Sequence, residues 1–246
     1  MSNETQLFGI HAVMEAIKSG KTIDKIFLQK GLQGDLSKEL IGLLRTHKIV
    51  PNTVPVEKLN RITHKNHQGV IAFTSPVDFY DLEELIVSTQ EKGEVPLFIV
   101  LDQLTDVRNF GAIIRTAECV GVHGIVIAKS GAAPVSADTI KTSAGAVFNM
   151  PISKVSHIKD AIFLFQSCGV QTVAATEKTE VNLYSVDFKV PTAIVMGSEE
   201  TGVSSGVLKT VDHKVKLPMV GEISSLNVSV AAGAFLYEAT RQRLKK

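Results

Sequence analysis

The chain has no tryptophan, only two cysteines and almost no net charge. Cys119 and Cys168 are too few for a disulfide framework and have no second pair beside them to build a zinc site, so both are expected to be buried thiols. No run approaches the roughly 18 uncharged apolar residues that a membrane-spanning helix requires. The opening MSNETQLFG lacks the basic and apolar regions of a signal peptide. These absences lead to the expectation of a soluble cytoplasmic protein. There is no long polar tract, and 44% of the 246 residues are apolar, which excludes disorder throughout and leaves chain enough for one large domain or two modest ones.

The net charge of +1 hides an asymmetry. Residues 1–75 carry ten Lys and Arg against six Asp and Glu, with four of the seven histidines, whereas residues 76–246 carry sixteen against nineteen. A modestly basic first third beside a slightly acidic remainder fits a nucleic-acid arm on an enzyme body, although a few lysines on a small solvated domain give the same count.

Apolar spacing divides the chain in the same place. Over residues 7–75 it predicts a small α/β unit: a helix from Phe8 to Ser19, a strand from Ile23 to Leu28, a helix from Leu36 to Leu44, a broken strand from Ile49 to Val54, a short helix from Val56 to Ile62 and a strand from Gly69 to Thr74. The polar loop at 63–69 contains His64 and His67 at HxxH spacing, with no carboxylate or cysteine beside them to complete a metal site. Residues 76–94 read as a linker followed by a helix from about Leu82. From residue 95 onward, apolar runs at 96–101, 124–128, 170–175, 193–196 and 215–217 alternate with helical stretches, the pattern of a parallel sheet covered by helices. A last helix is expected over Leu226–Leu244, with Ser224 or Ser225 as its N-cap.

The usual nucleotide fingerprints, GxGxxG after a strand and GxxxxGK[ST], are missing. Three other clusters follow strand ends, where open α/β sheets keep their sites. In the first, 102–117, Asn109 sits near a helix start and Arg115 about two turns on, so the pair could bracket one anionic group; equally, Asn109 could be a cap and Arg115 an ion-pair partner. In the second, Gly197 ends a strand and Glu199 follows, where a missing side chain lets a ligand approach the backbone, or where there is only a polar turn. The third, 217–231, carries Gly221, Ser224, Ser225 and Asn227 just before an Ala-rich helix, more polar groups than one cap explains.

In order and spacing, the three clusters closely resemble the motifs of the SpoU/TrmH class of S-adenosylmethionine-dependent RNA ribose 2′-O-methyltransferases. N-x-G-x-x-x-R-T-A is matched by Asn109, Gly111, Arg115, Thr116 and Ala117. G-[NSA]-E-x-x-G is matched by Gly197, Ser198, Glu199 and Gly202, with Glu200 where many members have glycine. The third motif, [IL]-P-M-x-G-x-x-x-S-L-N-V-S-x-A, runs from Leu217 to Ala231. The opening 7–13 and the stretch 67–70 also resemble the N-terminal RNA-binding domain of some members, and the closest likeness is to the RlmB type, which methylates a guanosine ribose of large-subunit ribosomal RNA.

The resemblance implies an α/β fold in which a small RNA-binding domain, 1–75, and a linker, 76–94, precede a parallel-sheet domain, 95–246, with a deep trefoil knot. It implies S-adenosylmethionine as cofactor, held by Thr176, Gly197, Leu217, Met219, Leu226 and Asn227, with Ala175 nearby. The catalytic set it implies is Asn109, Arg115, Glu199, Ser225 and Asn227, with no metal. The implied partners are RNA and a second copy of the chain, with the final helix contributing Ala231, Ala232, Ala234, Phe235, Leu236 and Ala239 to the contact. Lys21, Lys25, His64, Lys65 and His67 are candidate phosphate contacts. Transfer RNA as substrate, and a non-catalytic RNA-binding protein on the same fold, are the alternatives.

Overall fold

A computed structural model describes residues 6–222 and 225–244, and the chain divides into two units between Asp78 and Phe79. In the first, β1 (Gln6–Phe8), α1 (Ile10–Lys18), β2 (Ile23–Gln29), α2 (Asp35–Thr46), β3 (Asn52–Val54), α3 (Val56–Ile62) and β4 (Val70–Thr74) follow in order. The sheet runs β1-β4-β2-β3, with β4 antiparallel to both β1 and β2 and β2 parallel to β3. Strand alternation sorts the side chains. Ile26, Leu28, Val70 and Ala72 pack with Val13, Met14 and Ile17 of α1 and Leu40 and Leu44 of α2, while Phe27 and Ile71 turn to the other face against Val54 and Leu59.

Two expectations for this unit change. Phe8 belongs to a strand, because residues 6–8 pair with 71–73 of β4, and the helix starts at Ile10. His67 is buried. Its Nδ1 accepts the Gly69 N–H at 3.0 Å and its Nε2 lies 2.9 Å from Asn60 Oδ1, so both ring nitrogens hold the loop before β4 and neither is free for a phosphate.

The second unit begins with α4 (Leu82–Glu91), whose Asp81 side chain caps it by accepting the N–H groups of Glu83 and Glu84, and whose Leu82 and Ile86 are buried in this unit's core. Then come β5 (Leu97–Leu101), α5 (Val107–Cys119), β6 (Gly124–Ala128), α6 (Ala137–Thr142), β7 (Ile152–Val155), α7 (Ile158–Ser167), β8 (Gln171–Ala175), β9 (Thr192–Met196), α8 (Ser205–Leu208), β10 (His213–Val215) and α9 (Val228–Arg243). The six strands are parallel in the order β10-β8-β9-β5-β6-β7. After β8 the chain therefore returns to the middle of the sheet, inserting β9 between β8 and β5. Phe98, Val100, Ala193 and Val195 pack with α4, α7 and α8 on one face, while α5 packs against α9 and α9 against β9.

The expected strands are present, and β7 is additional to them; it is an edge strand whose side chains alternate only over Ile152-Ser-Lys-Val155. Cys119 is exposed and Cys168 half-buried, so neither is the buried thiol expected. Four residues assigned to a dimer contact, Ala232, Phe235, Leu236 and Ala239, are buried within their own unit. Among the described residues no helix is long and apolar enough to cross a membrane.

Candidate active site at the strand ends

Strands β8, β9, β5 and β10 all point their C-terminal ends the same way, which brings the three motif loops to one edge of the sheet. The loop after β5 is fixed first. Asp102 is buried, and its Oδ2 accepts the N–H of Ser204 at 2.8 Å, tying the end of β5 to the loop that follows β9. Asp106 then caps α5 by accepting the N–H of Asn109 at 2.7 Å. Asn109 is thus the third residue of the helix rather than its cap, and its amide is left for other work.

The loop after β9 closes on itself. Ser198 and Gly202 exchange backbone hydrogen bonds of 3.2 and 2.9 Å, and Gly202 adopts a left-handed φ of 66°. A Cβ on Gly197 would lie 2.0 Å from the carbonyl carbon of Gly202 and 2.1 Å from the nitrogen of Val203. This glycine is therefore demanded by the chain's own returning backbone, a different reason from the ligand approach expected. Glu200 has no positive φ and is exposed, so the turn accepts a side chain at this position.

The third loop supplies the residue that joins the motifs. Asn227, not Ser225, is the N-cap of α9: its Oδ1 accepts from the N–H of Ser229 at 3.0 Å, the Ser229 hydroxyl at 2.6 Å and the N–H of Val230 at 3.3 Å. Ser224 lies outside the described residues. With Oδ1 so committed, the amide nitrogen must face the other way. It donates to Asn109 Oδ1 at 3.0 Å and to Glu199 Oε1. One side chain thus caps α9 and links all three motifs. Every polar position of the Asn227 amide is used, while the Asn109 amide nitrogen and the second Glu199 oxygen have no partner among the described residues.

Arg115 is not brought into this cluster. It lies about 9 Å farther along α5, exposed, with neither hydrogen bond nor ion pair among the described residues. Among the described residues Arg115 therefore has no ion-pair partner and makes no contact with Asn109. Of the remaining candidates, Thr176 is buried at the end of β8, its N–H bonded to the Val215 carbonyl at 2.9 Å and its hydroxyl accepting from Lys178 at 3.2 Å. Ser225 is exposed. Leu217 is half-buried, and Met219 and Leu226 present more than 40% of their surface to solvent, on a loop whose backbone from 217 to 222 makes no hydrogen bond among the described residues. Apolar side chains and unspent peptide groups together at the ends of parallel strands are what a small-molecule site is made of. Sequence reasoning missed Asp102 and Asp106; an Asp immediately ahead of the helical apolar run is the capping signal that marks the second.

Residues 96–237 match the SpoU rRNA methylase family, and residues 6–80 match the substrate-binding domain of RNA 2′-O-ribose methyltransferases. The chain belongs to the SpoU family. It is an RNA 2′-O-ribose methyltransferase, with the parallel-sheet catalytic unit typical of the knotted SPOUT fold. YacO of Bacillus subtilis (strain 168), named a TrmH-family tRNA/rRNA methyltransferase, is 34% identical over 237 residues, covering 96% of this chain and 95% of that protein. The SpoU methyltransferase AviRb of Streptomyces viridochromogenes, solved with its cofactor AdoMet, superposes with a TM-score of 0.61 at 27% identity, covering 97% of this chain and 90% of that one. An AdoMet-bound rRNA methyltransferase of Sinorhizobium meliloti gives 0.63 at 25% identity, over 98% and 88%.

Proposed function

We propose that this SpoU enzyme methylates the ribose 2′-hydroxyl of a guanosine in large-subunit ribosomal RNA, with S-adenosylmethionine as donor, and that it works as a homodimer. The observation that carries the reading is the single amide of Asn227 joining Asn109 and Glu199, since it assembles the three motifs into one polar cluster beside the loop 217–226. That loop fits the cofactor: Leu217, Met219 and Leu226 offer apolar contact to an adenosine, and the free peptide groups offer hydrogen bonds to its edges. When bound there, S-adenosylmethionine supplies an electrophilic methyl on a sulfonium.

The chain's own task is to activate a poor nucleophile. A ribose hydroxyl at neutral pH needs orientation and stabilisation of developing alkoxide charge. Arg115 serves this as a fixed cation, because a guanidinium does not give up its proton near neutrality. Asn109 and Glu199, held by Asn227, orient the ribose, and Ser225 borders the same loop. The exposed, unpaired state of Arg115 supports the dimer, in which one copy's guanidinium completes the other copy's site. The basic N-terminal unit, present along with the catalytic unit in relatives matched over nearly their whole length, supports a ribosomal substrate. Mapping ribose methylation across ribosomal and transfer RNA in cells lacking the protein tests the substrate: a single missing guanosine methylation in the large-subunit RNA is expected, and a missing transfer-RNA methylation would overturn it.

A further inference from the structure

The N-terminal sheet has one face that its helices only half cover. Helices α1 and α2 pack on one side, but on the other the sole helix among the described residues is α3, seven residues long. Strand register places two rows of side chains on that face: Phe8, Ile71 and Phe27 across β1, β4 and β2, and beside them Gln6, Phe73 and Lys25. Phe27 and Ile71 are buried under Leu59, whereas Phe8 and Phe73 remain half-exposed. The rings are organised, with Phe27 and Phe73 edge-to-face at 6.3 Å between centroids.

Three exposed lysines stand over these rings. Lys25 Nζ lies 5.2 Å and Lys58 Nζ 5.6 Å from the Phe27 centroid, and Lys65 Nζ lies 5.1 Å from that of Phe8. None is in an ion pair among the described residues, unlike Lys18 and Lys38 of α1 and α2, which meet Glu39 and Asp35. Ammonium groups parked on aromatic faces for want of an anion are replaceable ligands of those faces.

We propose, building on the reading of this chain as an RNA methyltransferase, that this face is its RNA-docking surface and that it takes a single-stranded segment. Bases stack on Phe8 and Phe73, and Lys25, Lys58 and Lys65 swing from the rings to the phosphates. Aromatic platforms read unstacked bases, which a duplex keeps inside its helix, so the surface discriminates loops from stems. The lysines supply the salt-dependent share of the affinity.

The test uses the full chain and two fluorescent probes, a mixed-sequence single-stranded 15-mer RNA and a blunt duplex containing the same strand, titrated across salt. The variant K25Q/K58Q/K65Q is expected to bind the single strand about tenfold more weakly, with a salt slope reduced by about two, since each lost phosphate contact removes about 0.7. F8L/F73L keeps apolar volume and loses the rings; it should bind the single strand about tenfold more weakly and leave duplex binding unchanged. R45Q/K48Q, with the same kind of charge loss around the end of α2, should bind as the parent does. Single-strand binding by F8L/F73L within twofold of the parent, or equal weakening by R45Q/K48Q, overturns the surface. If F8L/F73L does not fold, the lysine variant and its charge control still decide. Failure of the parent chain to bind either RNA overturns the RNA-enzyme reading itself, whereas undiminished binding by the variants overturns this surface alone.

Discussion

Asn227 performs two jobs with one amide, and substitutions can separate them. Its oxygen caps α9 and its nitrogen holds Asn109 and Glu199. Asn227→Ser keeps a capping oxygen but cannot reach both partners, so melting temperature should stay within about 2 °C while single-turnover methylation falls at least tenfold. Asn227→Ala removes both roles and should cost about 1 kcal/mol of stability as well, a fall of about 2–4 °C in Tm. Equal activity of the serine variant and the parent would show that the bridge between motifs is idle. Among the described residues Arg115 is exposed and makes neither a hydrogen bond nor an ion pair. Arg115→Ala should therefore leave S-adenosylmethionine affinity by calorimetry within about twofold while lowering turnover a hundredfold or more. Arg115→Lys should recover little, because a point charge does not replace a planar fork. Loss of cofactor binding ahead of turnover would move Arg115 from the ribose to the cofactor.

Elements were legible in the sequence wherever periodicity was long or a strand was buried on both faces. Strands β5, β6, β8 and β9 are apolar runs with both faces covered, and each was visible as such. Strand β1 was not, because Phe8 is apolar in either a strand or a helix and only its partner Ile71, 63 positions on, decides between them. Capping was misread for a related reason: both α5 and α9 offer several capping residues in a row, and the geometry of the strand exit selects Asp106 and Asn227. Motif membership of Gly197 was plain from spacing, but its physical cause was hidden until Gly202 and Val203 were seen to fill the place of its Cβ. Gly197→Ala must force the 198–202 turn open, since backbone, not a flexible side-chain tip, occupies the site. The expected cost is about 1–3 kcal/mol of stability, with displacement of Glu199 and loss of turnover. A stable, active Gly197→Ala enzyme, by thermal melting and single-turnover assay, would contradict the closed turn.

At the scale of the whole molecule the question is what surrounds Arg115. A lone exposed arginine is ordinary, but here it rides on α5, which packs against α9, and α9 keeps Val230 and Tyr237 exposed two turns apart on one side. Four of the six residues expected at a dimer contact, Ala232, Phe235, Leu236 and Ala239, are buried inside the unit, so the proposed contact falls to this remaining face, where Ala234, half-buried between the two, permits close approach. A two-fold pairing applies the same patch twice and would bury the apolar stripes against each other while carrying each guanidinium toward the second copy. Tyr237→Glu should then give a folded chain that sediments at half the parent's mass and has lost methylation at least a hundredfold. Mixing an excess of Arg115→Ala with Asn227→Ser should restore turnover, because one of the two sites in the mixed dimer then combines an intact Arg115 with an intact Asn227. A monomeric Tyr237→Glu that turns over normally, or no recovery on mixing two variants shown to exchange subunits, would mean that each chain completes its own site and that Arg115 swings inward when RNA binds.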